Sequence, residues 1–254
     1  MTKRALAGLV TMLIVVALWF ATTQVAHLVS PGRFPSPLDV YKAAVQIGTP
    51  PGYAGATLAH HVIISLELVF FGFLAATVTG VPLGLGMGLD RRFEAFVNPI
   101  FLAIRPIPPL AWIPLAVVWF GLGIQAKIFV VWFAAFVPAL INTYTGVRTV
   151  DNTLIDAARV HGASHYRIIR EVVIPASLPH IFTGLRLSLQ ASWTTLIAAE
   201  LVGAVAGIGH VLIVASLDIY PGMILYGMAW VALLGAIMTL VLGRLERVAM
   251  PWLR

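Results

Sequence analysis

Charge is scarce in this chain: only 10% of its 254 residues are Asp, Glu, Lys or Arg, against about 25% in a soluble domain. That shortage excludes an ordinary water-soluble globule. Cysteine is absent, which removes disulfides and thiolate metal sites from consideration. A Walker A motif, G-x-x-x-x-G-K-[ST], is also missing, so the chain lacks the phosphate cradle with which it could hydrolyse ATP alone. Gly80, Gly84, Gly86 and Gly88 lie in an apolar run with no lysine after them; they suit close helix contact or a kink. What is abundant is apolar side chain, at 60%. The net charge of +6 does not mark a nucleic-acid surface, because the basic residues sit in short flanks between apolar runs, where they orient helices in a bilayer.

The runs predict an all-α, polytopic membrane protein. Six segments are long enough for a hydrocarbon core that takes about 20 residues to cross: Ala5–Val29, Val62–Leu89, Val97–Gly121, Ile128–Val147, Ser177–Ala206 and Met223–Gly243. The first follows Lys3 and Arg4 like a signal peptide, but it exceeds the roughly 7–15 apolar residues of a signal sequence and is expected to be an uncleaved anchor. With the N-terminus inside, eleven basic residues (Lys3, Arg4, Arg91, Arg92, Arg148, Arg159, Arg167, Arg170, Arg244, Arg247, Arg254) fall on the cytoplasmic side and three (Arg33, Lys42, Lys127) outside. That asymmetry predicts both termini to be cytoplasmic.

The same topology places the loops. Ser30 to His61 faces outward, and Pro37-Leu38-Asp39 suits the start of a short helix there. Leu38, Tyr41, Ala44 and Val45 have helical spacing, as in a helix lying at the membrane interface; a surface helix with only a packing role fits equally. Leu89 to Arg92 forms a short cytoplasmic turn, and Arg148–Pro175 is the longest cytoplasmic stretch. In it Asp151 is placed to cap a helix. Leu154, Ala158 and His161 share one face, as do Ile155 and Ala158. Gly162 suits the break that follows. Ser164 is placed to begin a second helix through Arg170, expected to end or bend near Pro175. Two short helices at a glycine elbow, with the low surface of Ala157 and Ala158, make a protrusion suited to a groove on a partner.

Asp156-Ala157-Ala158, Gly162 and Val172-Val173-Ile174-Pro175 resemble the E-A-A…G…I-x-L-P signature of the permease subunits of bacterial ATP-binding-cassette importers. Asp156 stands for the signature's glutamate, Val172 for its isoleucine and Ile174 for its leucine. Arg105 to Ala111, Trp119 to Gly123 and Thr183 to Arg186 look like the sulfonate, taurine, nitrate and bicarbonate branch, and the resemblance runs from about Thr57 to the C-terminus. It implies that Asp156, Ala157, Ala158, Gly162, Ser164, Ile174 and Pro175 belong to coupling helices seated in a cleft on an ATPase subunit. ATP and Mg would then be bound by that subunit, with no cofactor in this chain. It further implies an external substrate-binding protein, and a two-permease, two-ATPase assembly. A homodimer follows independently, since one six-helix chain encloses little and a twofold axis supplies a pathway.

Ionisable groups in spans are expensive and therefore candidates for function. Arg105 precedes Pro106-Ile107-Pro108-Pro109, where a helix must break, and such breaks are tolerated at membrane depth where they are buried or line a cavity. Its guanidinium would offer a fork of donors to a sulfonate, nitrate or carboxylate; a salt bridge with Glu67 or Glu200 is the competing reading. Arg186 is expected to snorkel or brace the coupling helices near the cytoplasmic surface. Glu200, near the outer end of its span, lines the outer mouth or pairs helices. Gln190, Ser192, Trp193, Thr194 and Thr195 form a polar patch that lines a pathway or glues helices together. His60-His61 and His161/His165 lack a third partner and predict no metal site.

The sequence thus predicts one permease domain over residues 1–254, with an anchor and external loop (1–56) and a core (57–254) carrying the coupling loop 148–175. Importing a small anion across the inner membrane is the expected function, with taurine or another organic sulfonate ahead of nitrate, bicarbonate, aromatic carboxylates or a thiamine precursor. A self-sufficient secondary transporter is the distant rival.

Overall fold

A computed structural model describes residues 3–25, 34–201 and 203–253. Among them the ordered elements are helical, with one isolated bridge between Tyr53 and Ala56. The helices are α1 (Lys3–Phe20), α2 (Pro37–Gly48), α3 (Leu58–Leu89), α4 (Arg91–Ile104), α5 (Ile113–Phe120), α6 (Ile124–Arg148), α7 (Asn152–Val160), α8 (His165–Ile168), α9 (Ile174–Leu201), α10 (Ile208–Leu217) and α11 (Pro221–Ala249). Four helical stretches are each long and apolar enough to cross a bilayer: α3, α6, His165–Glu200 and α11. Their lipid-compatible surfaces explain why Phe70, Phe71, Val78 and Leu240 are exposed. A bilayer, unlike water, imposes no cost on them.

The third expected span is not one rod. Helix α4 and the segment Pro109–Phe120 meet at a bend of 85°, because Pro106, Pro108 and Pro109 supply no backbone N–H and their rings obstruct the preceding turn. The first expected span is described as α1 and a π turn at Ala21–Val25, including a shorter apolar helix over Val10–Gln24. Its predicted end at Val29 lies outside the described residues. The fifth begins earlier than Ser177: α8, a π turn at Ile169–Val173 and α9 run on without a stop. Pro175 therefore neither ends nor breaks a helix. The wide turn just before it absorbs the missing N–H and the ring clash that a regular turn would suffer.

By compactness the chain divides into two units, Met1–Ile64 with Ala204–Ala232 and Ser65–Gly203 with Leu233–Arg254. In the first, Ser36 caps α2 in a reciprocal box: its hydroxyl accepts from the Asp39 N–H, and the Asp39 carboxylate accepts from the Ser36 N–H. The Ser36 hydroxyl also donates to that carboxylate at 2.7 Å, and this bond first, then the one from the Ser36 N–H, holds the Asp39 carboxyl below its usual range. Ala43 and Ile47 pack on Val211, Ala215 and Met223, leaving Leu38, Tyr41 and Val45 exposed. The stripe read from the sequence is thus the outer face of α2, and a different face holds it down. His61 is wholly buried. Its Nδ1 accepts from the Gly207 N–H at 3.0 Å, so Nε2 carries the proton and donates to the Tyr53 carbonyl at 2.9 Å. Tyr53 in turn donates to Asp218 at 2.6 Å.

In the second unit α3 lies against α6 along a seam of small residues. Gly72, Ala76, Gly80, Gly84 and Gly88 recur every four residues and so share one face. A methyl group on Gly72 or Gly88 would fall on Val131 or Val147, and one on Gly80 or Gly84 on backbone of α6. Gly86 points away, toward Phe93. On α6, Gly146 meets His180, and Gly184 of α9 meets Asn142, while Ser188 donates to the Ala135 carbonyl at 2.6 Å. Small residues bring α6 into close contact with both neighbours, as expected where packing replaces the hydrophobic effect.

Candidate functional site

Two surfaces emerge: a protrusion between α6 and α9, and the polar groups of α4 and α9. In the protrusion Asp151 accepts from the Thr153 N–H at 2.8 Å and starts α7. The bond to that backbone amide holds the Asp151 carboxyl below its usual range. The turn after α7 closes at Gly162 with φ +76°, a conformation that suits glycine. Ser164 then caps α8, accepting from the Arg167 N–H. The second helix ends at Ile168, short of Arg170, where the π turn takes over.

Ile155 and Ala158 pack on a base of Val147, Ile168 and Val173. The opposite side stays open: Asp156, Ala157, Gly162 and Ser164 are exposed, while Ile174 and Pro175 are half-buried at the root. Leu154, Val160 and Tyr166 are also exposed, Val160 to 87%. The sequence reading missed Val160 and Tyr166. Their signal was there, as apolar residues on the side of each short helix away from the packed positions. Asp156 pairs with Arg159 at 3.0 Å and Arg167 with Glu171 at 2.8 Å. The elbow is thus a knob of exposed apolar and charged side chains on a packed base.

The base connects directly to α4. Glu94, in the first turn of α4, accepts from the Tyr144 hydroxyl at 2.5 Å and lies 3.8 Å from Arg148. Residues 144 and 148 form the last turns of α6, immediately before the protrusion.

The five predicted pathway residues separate into two groups. Arg105, Gln190 and Thr194 are exposed; Trp193 and Glu200 are buried, Glu200 completely. Arg105 ends α4, and among the described residues it forms no ion pair with Glu67 or Glu200. It is among the residues around an open, almost wholly apolar trough of about 380 Å³ between α3, α4 and α6. Gln190 and Thr194 share a face of α9 with Thr183 and Leu187, while Ser192 and Thr195 point inward. The polar patch therefore splits, with Gln190 and Thr194 on an exposed face of α9 and Ser192 and Thr195 buried, the Ser192 hydroxyl donating to the Ser188 carbonyl of its own helix.

Glu200 accepts from the Ser65 hydroxyl at 2.7 Å, joining α9 to α3. Trp193 packs beside Gly235 of α11, with its indole N–H unpaired. Arg186 pairs with Glu246 near the end of α11, so its partner is α11 and not the coupling helices it was expected to brace. Lys127, read as a loop residue, lies in the first turn of α6, half-buried beside a small cavity with Ala126, Val130 and Ala199. No cluster of metal-ligating side chains occurs among the described residues.

A family model described as "Binding-protein-dependent transport system inner membrane component" matches residues 80–254. The taurine transport system permease protein TauC of Escherichia coli (strain K12) is 34% identical over 252 residues, covering 99% of this chain and 91% of that protein. The bicarbonate transport system permease protein CmpB of Synechococcus elongatus is 38% identical over 186 residues, 73% of this chain and 67% of that one. Among solved structures, a chain of the MetNI methionine transporter in an inward-facing conformation superposes with a TM-score of 0.66. It is 22% identical and covers 76% of this chain and 95% of that chain, a likeness of fold.

Proposed function

We propose, from the premise that the chain belongs to the family of binding-protein-dependent transport system inner membrane components, that its cargo is a small organic anion, taurine or another sulfonate. Membership makes it the multi-pass membrane subunit of an ATP-binding-cassette importer; it is not itself an enzyme, and the ATPase is a separate subunit. A substrate-binding protein is the expected partner on the other side. The observation that carries the cargo reading is Arg105: an exposed residue with no ion-pair partner among the described residues, at the break between α4 and Pro109–Phe120. A planar fork of donors suits an oxyanion, and the near full-length likeness to a taurine permease favours sulfonate.

In this reading both termini are cytoplasmic, and two copies face each other across a twofold axis. Gln190 and Thr194 line the path between them as neutral donors and acceptors. Asp156, Ala157, Ala158, Gly162 and Ser164, rooted at Ile174 and Pro175, dock on the ATPase, which holds the ATP and Mg. Closing of the ATPase dimer on ATP pulls the two protrusions together and shifts the permease from inward- to outward-facing, since ATP binds the closed state better. Bicarbonate is the second reading, supported by the 38% identity to CmpB over 186 residues.

Uptake into proteoliposomes holding this chain, its ATPase and its binding protein tests both. Labelled taurine should accumulate with ATP, and excess bicarbonate should not compete. Accumulation without the ATPase would identify a secondary transporter instead.

A further inference from the structure

Arg186 of α9 and Arg247 of α11 bring their guanidiniums to one glycine. A methyl group on Gly243 would stand 3.9 Å from Arg186 Nη2, and Arg247 Nε donates to the Gly243 carbonyl at 3.2 Å. Both arginines line an open groove of about 440 Å³ between α9 and α11, in which Glu246 is the other charged side chain. The Thr239 hydroxyl is turned to its own helix, donating to the Gly235 carbonyl at 2.8 Å. Glu246 pairs with Arg186, whose side chain is nonetheless 50% exposed. Arg247 is exposed and, among the described residues, in no ion pair. Two guanidiniums against one carboxylate leave the groove positive, and each guanidinium has more N–H donors than one carboxylate takes. Such forks suit the oxygens of a phosphate.

The groove sits where α11 leaves the apolar layer. At 1.5 Å per residue, Gly243 lies about 33 Å along α11 from Pro221, the far edge of a hydrocarbon core of roughly 30 Å. Arg244 and Arg247 follow it and Trp252 is exposed just beyond, as basic and aromatic side chains are at a membrane–water boundary. In the other direction Leu233, Ile237 and Leu240 are exposed at helical spacing. That apolar stripe ends in the groove, because Leu240 is part of its wall. Of the four candidate spans α11 is the least buried, so the stripe is open to acyl chains. A free phosphate would use the guanidiniums alone; a phospholipid uses the guanidiniums and the stripe together.

We infer that this groove is a binding site for one anionic phospholipid. Its phosphodiester is held between Arg186 and Arg247, and an acyl chain lies along Leu240, Ile237 and Leu233. Basic pockets between membrane helices take anionic headgroups in this way. Phosphatidylcholine is a poorer ligand, since its phosphate already has its own cation as partner.

The test is native mass spectrometry of the delipidated complex of this chain with its ATPase, titrated with phosphatidylglycerol or phosphatidylcholine of the same acyl chains. Phosphatidylglycerol should bind about tenfold more tightly, and Arg247→Gln should weaken it about fivefold, the contribution of one basic side chain beside an anionic headgroup. Arg244→Gln, at an exposed position outside the groove, should leave binding unchanged. Gly243→Leu, which fills the groove and keeps every charge, should remove the preference for phosphatidylglycerol. Equal affinity for the two lipids would overturn the inference. So would an equal loss in Arg244→Gln and Arg247→Gln, which would mean attraction to a basic surface without a site. Displacement by excess inorganic phosphate would assign the groove to a free anion instead. Loss of a second permease copy from the complex in Arg247→Gln would assign it to an interface between copies.

Discussion

Gly84 of α3 faces the backbone of α6 so closely that a methyl group on it would stand 2.6 Å from the carbonyl oxygen of Leu140. A backbone carbonyl inside a helix cannot step aside as a side-chain end can. Gly84→Val should therefore force the two helices apart and cost about 1–3 kcal/mol, the usual range for overpacking. Melting of the purified complex in detergent would register it. Gly48→Ala, where nothing lies within 4 Å, should leave the melting temperature unchanged. Equal melting of the two variants would mean that the seam is not tightly packed.

Gly162 poses the opposite case. Open space surrounds it, but its φ of +76° is costly for a branched side chain, by about 1–2 kcal/mol. Gly162→Val should distort the elbow and reduce co-purification of the ATPase, while Gly162→Asn, which accepts that conformation, should retain it. Val160→Asp should also lose the ATPase, by placing charge on an exposed apolar contact, without affecting melting. Undiminished co-purification in both Gly162→Val and Val160→Asp would refute the docking assignment.

The bond from Ser65 to Glu200 is buried on both sides. Removing the donor takes that bond away, a loss of about 0.5–1.5 kcal/mol. Ser65→Ala should lower the melting temperature, and Glu200→Gln, which keeps an acceptor, should lower it less. The reverse order would show that the Ser65 bond is not what Glu200 needs.

Acid should loosen α7 through Asp151. Its carboxyl is held below the usual range by the Thr153 amide, so its contribution is present above the unfolded value of about 3.9 and is lost as pH falls through the lower folded value. Hydrogen exchange at the Thr153 amide should stay protected near neutrality and open only in strong acid. Asp151→Asn should retain a neutral cap and abolish that pH dependence. Protection that fails already near pH 6 would assign it to some other group.

The elbow was legible in the sequence because its determinants are local. Asp151, Gly162 and Ser164 act on the backbone within a few residues, and each does what its type and spacing predict. The break after Arg105 was legible for the same reason, since prolines act on their own turn. Pro175 was misread because a π turn, which relieves a proline, leaves no clear mark in composition. Of the two roles read for Arg186, snorkelling or bracing the coupling helices, the bracing fails because its partner, Glu246, is 60 residues away on α11. Lys127 was counted as loop because α6 begins one turn earlier than its apolar run.

The sequence by itself determined that this chain lives in a membrane, roughly where its apolar helices run, and where two short capped helices interrupt them. Those depend on composition, run length and short-range backbone chemistry. Only the tertiary structure decided which side of α9 faces outward, so that Gln190 and Thr194 are open while Ser192, Trp193 and Thr195 are packed away. It also decided that Glu200 is tied to Ser65, 135 residues distant, and that Arg105 stands beside an apolar trough. A helix that is apolar nearly all round carries little record of its own rotation. Its rotation is set by small residues on neighbouring helices, such as Gly84 against Leu140, and is fixed only when the helices meet.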